Sequence, residues 1–184
     1  MPERKYGCDY HITFRQLTKD DADMLNQFDC GNDGINNFIQ NESLSSSKDV
    51  TYTFIDEDSN NIIAFCAIRC TGISVNETDG RETYITSYPA VEIDFFAVDD
   101  SYRSIPLYEG AEKYDTLSSA MFLFMISKIK QISSTVIGAN NICLYAVPQA
   151  VTFYERCGFT EFEPYMWRDE APFTQSCVPM FVKI

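Results

Sequence analysis

The chain has a single histidine, His11, and no C-x-x-C pair among its seven cysteines. A zinc site built from Cys and His needs several such ligands at close spacing, so no metal is expected. The cysteines, at 8, 30, 66, 70, 143, 157 and 177, are odd in number and sit mostly in apolar, strand-like segments. Reduced, buried thiols are therefore expected rather than a disulfide framework. No unbroken run of about 18 apolar residues is present to span a bilayer, and the N-terminal M-P-E-R-K-Y-G-C-D-Y lacks the apolar core of a signal peptide. No membrane partner and a cytoplasmic location are the expectations. Basic residues are scarce as well, 14 against 27 acidic ones, for a net charge of −13. Nucleic-acid binding depends on Lys and Arg neutralising phosphates, which ranks nucleic acid last among partners and suits a cationic or amine-bearing one better. Solubility explains the same charge equally well.

What is present is ordinary for a soluble globular chain: 184 residues with 45% hydrophobic and 22% charged side chains, enough for one domain over 1–184. No repeat, low-complexity tract or linker interrupts it. His11 to Leu17 alternates as a first strand, and Thr18 followed by Lys19, Asp20 and Asp21 caps a helix running to about Phe28. Asn32 or Asp33 caps a second helix with Ile35, Phe38 and Ile39 on one face. Thr51 to Ile55 and Ile62 to Cys70 form a hairpin around D-E-D-S-N-N. A polar stretch from Ser74 to Thr86 then leads to the strand Y-P-A-V-E-I-D-F-F-A-V-D. Ser118 and Ser119 open an apolar helix through Met121, Phe122, Met125, Ile126 and Ile129. Cys177 to Ile184 supplies a last strand.

The densest signal is I-C-L-Y-A-V-P-Q-A-V-T-F-Y-E-R-C-G-F, from Ile142 to Phe159. Ile142 to Val147 has the length and residue types of a buried strand, and Pro148 fits the first turn of a helix, where its missing N–H is harmless. Ala150, Val151, Phe153 and Tyr154 recur at helical spacing, Gly158 suits a left-handed C′ position, and Phe159 can pack back on the last turn.

Here the sequence resembles the GNAT superfamily of N-acetyltransferases, whose members carry an A-x-x-F-Y-x-x-x-G-F helix after a strand. Ala150, Phe153, Tyr154, Gly158 and Phe159 hold that pattern. The E-I-x-F-x-A-V form of Glu92 to Val98 resembles the family's central strand, and F-x-C-G-x-x-x-x-N-x-F-I at Phe28 to Ile39 is similar to a subgroup that includes toxin-like acetyltransferases. The resemblance implies an acyl-CoA N-acyltransferase fold, a mixed and mostly antiparallel sheet splayed at its centre and flanked by helices, with the Val91 to Val98 and Asn141 to Val147 strands adjacent and diverging. It implies acetyl-CoA as cosubstrate, Tyr154 as general acid near the thioester sulfur, and Glu92 as general base. Asp94 lies on the same strand face. One or both carboxylates have an alternative, pointing into solvent or pairing with Arg69 or Arg81. Phe96, Ala97 and Val98 would meet the pantetheine arm through their backbone.

The chemistry needs these groups. A Lys-like amine of pKa near 10.4 is a nucleophile in only about one molecule in 2,500 at pH 7, a deficit of about 4.6 kcal/mol that a carboxylate base offsets by removing the proton. A thiol leaving group near pKa 8.5 and a phenol near 10 differ by about 2 kcal/mol against full transfer, so Tyr154 would act mainly as a hydrogen-bond donor. The acceptor would be an amine on a small molecule or protein, and a homodimer is compatible with the sequence. The sequence departs from the family after the strand: in place of the Q/R-x-x-G-x-G/A phosphate loop stands S-Y-R-S-I-P-L-Y-E-G-A-E-K-Y-D-T-L-S-S. Arg103 and the N–H groups at Ser118 and Ser119 are the expected replacements. That departure also supports an alternative reading, a binding or regulatory domain whose acidic surface serves a basic partner protein.

Overall fold

The computed structural model describes residues 5–162 and 176–184. Its seven strands are β1 (Ile12–Gln16), β2 (Val50–Asp56), β3 (Asn61–Asp79), β4 (Glu82–Val98), β5 (Asn141–Ala146), β6 (Thr160–Glu161) and β7 (Val178–Lys183), hydrogen-bonded in the order β1-β2-β3-β4-β5-β7-β6. The β4–β5 pair is parallel and β1–β2, β2–β3, β5–β7 and β6–β7 are antiparallel. Among the described residues four α-helices accompany them: α1 (Ala22–Leu25), α2 (Asp33–Asn37), α3 (Leu117–Ile132) and α4 (Val151–Arg156). Contacts divide the chain into two compact units, Met1–Ile68 with Phe95–Ile126, and Arg69–Asp94 with Ser127–Ile184.

In the first unit, β-period alternation sends Phe54 and Ile55, or Phe95 and Phe96, to opposite faces. Leu17, Leu25, Phe28, Phe38, Ile39, Ile55, Ile62 and Phe65 form one buried cluster, against which Phe95 packs. Phe96 instead meets Phe122, ring centroids 5.0 Å apart. The first helix is shorter than its sequence suggests: a tight turn at Lys19–Asp21 leads into α1, which ends at Leu25. Asp21 explains the start, since its carboxylate accepts the Thr18 N–H and both Arg15 guanidinium bonds and is thereby held well below the usual carboxylate range, at about 2. Asn32 caps α2 as expected, accepting the Ile35 N–H at 3.1 Å.

In the second unit β5 lies between β4 and β7, and Ile73, Ala90 and Cys143 pack with Phe162 and Phe181. Two corrections to the sequence reading arise. The polar stretch Ser74 to Thr86 is a continuation of β3 and β4, 19 and 17 residues long, turning at Gly80 with φ 64°. Its Thr, Tyr, Val and Ile residues favour extended backbone, while exposure on both faces removes the apolar alternation that marks a half-buried strand. The helical run Leu117–Ile137 also has the length and mean hydropathy (1.3) of a membrane span, although the sequence shows no unbroken apolar run. Phe122 and Met125 within it are fully buried, which suits the core helix of a globular chain equally. All seven cysteines are free, with Cys30, Cys66, Cys143 and Cys177 buried and Cys8 and Cys70 exposed.

Candidate active site

The expected splay has a defined origin. β4 and β5 pair for four residues, Ala90 with Asn141 through Ile93 with Leu144, and the pairing stops there although both strands continue. Among the described residues the ladder does not extend to Phe95–Val98 of β4, whose backbone groups are of the kind that an amide-bearing arm such as pantetheine would need. Phe96, Ala97 and Val98 lie in this stretch.

Glu92 and Asp94 sit two residues apart on β4 and both turn to Arg69 of β3. Arg69 Nη2 donates to Glu92 Oε1 at 2.8 Å and Nε donates to Oε2 at 3.2 Å. The same guanidinium reaches Asp94, Nη2 to Oδ1 at 2.8 Å and Nη1 to Oδ2 at 3.3 Å. Glu92 is 1% exposed and Asp94 25%. A carboxylate in a site as closed as that of Glu92 needs a cation and aligned donors, and the fork of Arg69 supplies both. Arg81 stands at the hairpin turn and takes no part in these bonds.

Tyr154 lies on α4. Its helix is built as the sequence suggests: Pro148 opens a preceding turn, Gly158 adopts φ 89°, and Phe159 N–H bonds the Tyr154 carbonyl at 3.0 Å. The Phe159 ring then packs on Tyr154 at 6.0 Å, with Phe153 at 5.2 Å on another side. Burial pushes the Tyr154 phenol well up, and the thiols of Cys157 and Cys177 add to the shift. Such a phenol keeps its proton.

The three expected phosphate ligands are held differently from one another. Arg103 Nη2 donates to the Cys30 carbonyl at 2.6 Å and pairs with Asp100 at 2.6 Å. Ser118 Oγ donates to the Arg103 carbonyl at 2.6 Å, and Ser119 N–H is capped by Thr116 Oγ1 at 3.2 Å. Thr116, which precedes α3, is thus the cap of a helix that begins at Leu117, one residue before the serines expected to open it. Ser118 N–H has no acceptor among the described residues. Of the groups at 101–119 expected to meet a phosphate, the Arg103 guanidinium and the Ser119 N–H are thus already engaged within the first unit.

No protein-family model matches the sequence, and no curated protein is significantly similar to it. Solved structures are similar over nearly the whole chain. A mutant of KacT with a tyrosine replaced by phenylalanine is 14% identical, with a TM-score of 0.69 over 94% of each chain. AtaTR bound with acetyl-CoA is 17% identical, with a TM-score of 0.69 over 94% of this chain and 93% of that one. AtaT complexed with acetyl-methionyl-tRNAfMet is 17% identical, with a TM-score of 0.63 over 92% and 94%. The chain thus has the fold of these proteins, the GNAT fold that its strand and helix motifs resemble.

Proposed function

We propose that the protein transfers an acetyl group from acetyl-CoA to a primary amine. The observation that supports this most is the coincidence of two features, the β4–β5 ladder that ends at Ile93 and Leu144, and the α4 tyrosine whose surroundings keep it protonated. Acetyl-CoA, when bound, supplies the activated acyl carbon. The protein's own part is to bind that molecule along β4, donate a hydrogen bond from Tyr154 to the leaving sulfur, and take a proton from the amine. Of the two carboxylates Asp94 is the one that an amine or a water can reach, and Glu92 orients Arg69 and through it Asp94.

The acceptor belongs to the same proposal. Charge alone placed nucleic acid last, but a structure of the same fold is complexed with acetyl-methionyl-tRNAfMet, so the ranking by charge has no support from its fold neighbours. An amine carried by a small molecule, by a protein or by an aminoacyl-tRNA is therefore the substrate class. A similar structure is bound to the C-terminus of the antitoxin AtaR, which extends the partner reading to a protein of that kind.

Calorimetry with acetyl-CoA, run beside desulfo-coenzyme A, tests the proposal without knowledge of the acceptor. Binding is expected, and it should raise the unfolding free energy by about 2.7 kcal/mol at a hundredfold excess over Kd. Absence of binding at millimolar ligand would replace the transferase with a binding domain, the reading favoured by the occupied Arg103 and Ser119 groups.

A further inference from the structure

The β3–β4 hairpin extends beyond the strands that flank it. β2 pairs with β3 only as far as Ile68, and β5 pairs with β4 only from Ala90 onward. Between these limits, residues 69–79 and 82–89 form a ribbon with no further strand on either outer edge among the described residues. A ribbon of two strands is marginal in water, and an open edge is a template for another strand.

The two edges differ in how they are protected. Residues 69–79 carry Arg69, Gly72, Glu77 and Asp79, charges and a glycine that discourage strand addition. Residues 83–88 read T-Y-I-T-S-Y, with no charge, glycine or proline and with the β-branched and aromatic types that pair most readily. Their side chains are open to solvent: Tyr84 is 48% exposed, Ile85 73% and Tyr88 37%. The free stretch ends where Asn140 N–H bonds the Pro89 carbonyl at 3.3 Å, and Val136 and Ile137, both exposed, come just before that contact in the chain.

We propose that the 82–88 edge pairs with the same edge of a second copy, antiparallel about a two-fold axis at Ile85. In that register Ile85 faces Ile85, Tyr84 faces Thr86, Thr83 faces Ser87 and Glu82 faces Tyr88. No like charges are opposed, which matters for a chain of net charge −13, and the two isoleucines bury one another at the axis. Asp79 stays on β3, and the Glu77 carboxylate, which reaches over β4, is taken up by the hydroxyls of Thr86 and Tyr88. A basic peptide is the less suitable occupant, because the Glu77 carboxylate is already bound by Thr86 and Tyr88 and Glu82 lies at the far end of the edge, beside the turn. The pairing is isologous and closes at two copies, so it joins two hairpins into a four-stranded ribbon without seeding a fibre.

Sedimentation over a hundredfold range of protein concentration tests this. The wild type is expected to shift from monomer to dimer, and Ile85→Lys, which sets two like charges across the axis, should weaken the dimer about tenfold or more. Ile85 is exposed, so an unchanged thermal midpoint checks that the variant still folds. As a positive test, Ile85→Cys should form an 85–85 disulfide under mild oxidation, since directly opposed antiparallel residues are about 4.5–5.5 Å apart at Cα. Wild-type protein, with Cys8 and Cys70 exposed, gives the baseline. A wild type that stays monomeric throughout overturns the proposal, and so does a dimer that ignores Ile85→Lys and yields no 85–85 bond. A monomer that captures a different chain through Ile85 overturns it in favour of that other occupant.

Discussion

Arg69 grips Glu92 twice, Nη2 to Oε1 at 2.8 Å and Nε to Oε2 at 3.2 Å, and the carboxylate so held is 1% exposed. Removing the cation leaves a charge in a closed site. Arg69→Ala is therefore expected to cost about 3–5 kcal/mol in urea unfolding, and adding Glu92→Gln should restore part of that loss because the stranded charge is gone. A loss below about 1 kcal/mol would place Glu92 in solvent contact that the structure does not have.

Tyr154→Phe removes the donor but keeps the ring that Phe153 and Phe159 pack against. Turnover on an identified amine should fall about 10²-fold or more while the thermal midpoint stays nearly constant. The pH profile separates roles further. Burial raises the phenol above its ordinary value of 10.0, so Tyr154 keeps its proton to higher pH than a free tyrosine does. The rate should show no loss from Tyr154 ionisation up to pH 10, and an alkaline limb below that would belong to another group.

Asp21 makes the fold acid-sensitive in a narrow window. Its folded value is about 2 against an ordinary 3.8, chiefly through the Arg15 hydrogen bonds. A depressed folded value contributes stability that is complete above 3.8 and is lost as pH falls through 2. Unfolding curves taken above and below that window should show wild type and Asp21→Asn differing most at the upper pH and converging at the lower. A constant difference would mean that Asp21 acts by packing alone.

The turn after β4 is tied to the loop before α2, and Gly31 is the tightest point of that tie. It has φ 72°, and a Cβ there would meet Asp100 Oδ2 at 3.0 Å. Gly31→Ala should cost about 1–2 kcal/mol through strain at positive φ. Arg103→Ala should cost a similar amount by freeing the Cys30 carbonyl. With the Arg103 guanidinium already engaged by the Cys30 carbonyl and Asp100, calorimetry should show that Arg103→Ala loses less than about threefold in acetyl-CoA affinity, under about 1 kcal/mol.

Strands whose burial alternates or is complete were legible in the residues. β1, β2, the inner part of β3, the 90–98 part of β4, β5 and β7 all announce themselves through β-branched and aromatic runs between turn signals. The capped exit of α4 at Gly158 was legible too, since glycine there has one obvious conformational use. The outer hairpin was not, because Thr, Ser, Asn and Glu on two wet faces carry no period to detect. Thr116 was missed as the cap of α3 for a related reason: T-L-S-S offers three hydroxyls in four residues, and only the fold decides which one lies before the first turn. Of the candidate site, the carboxylate pair on β4 could be read from a period of two, and pairing with Arg69 stood as its alternative. What the residues could not convey is that one guanidinium serves both acids, since that depends on the β3–β4 register.

The unequal exposure of the seven thiols gives the chain a built-in counter of its own opening. Reagents attack the thiolate, and burial holds the Cys66 thiol up at about 12 while also raising Cys30 and Cys177. In the native protein an aromatic disulfide reagent should therefore react fast with Cys8 and Cys70, slowly with half-buried Cys157, and with Cys30, Cys66, Cys143 and Cys177 only as the segments around them open. Cys30 and Cys66 lie in the first compact unit and Cys143 and Cys177 in the second, so the order in which they modify tells which unit opens first.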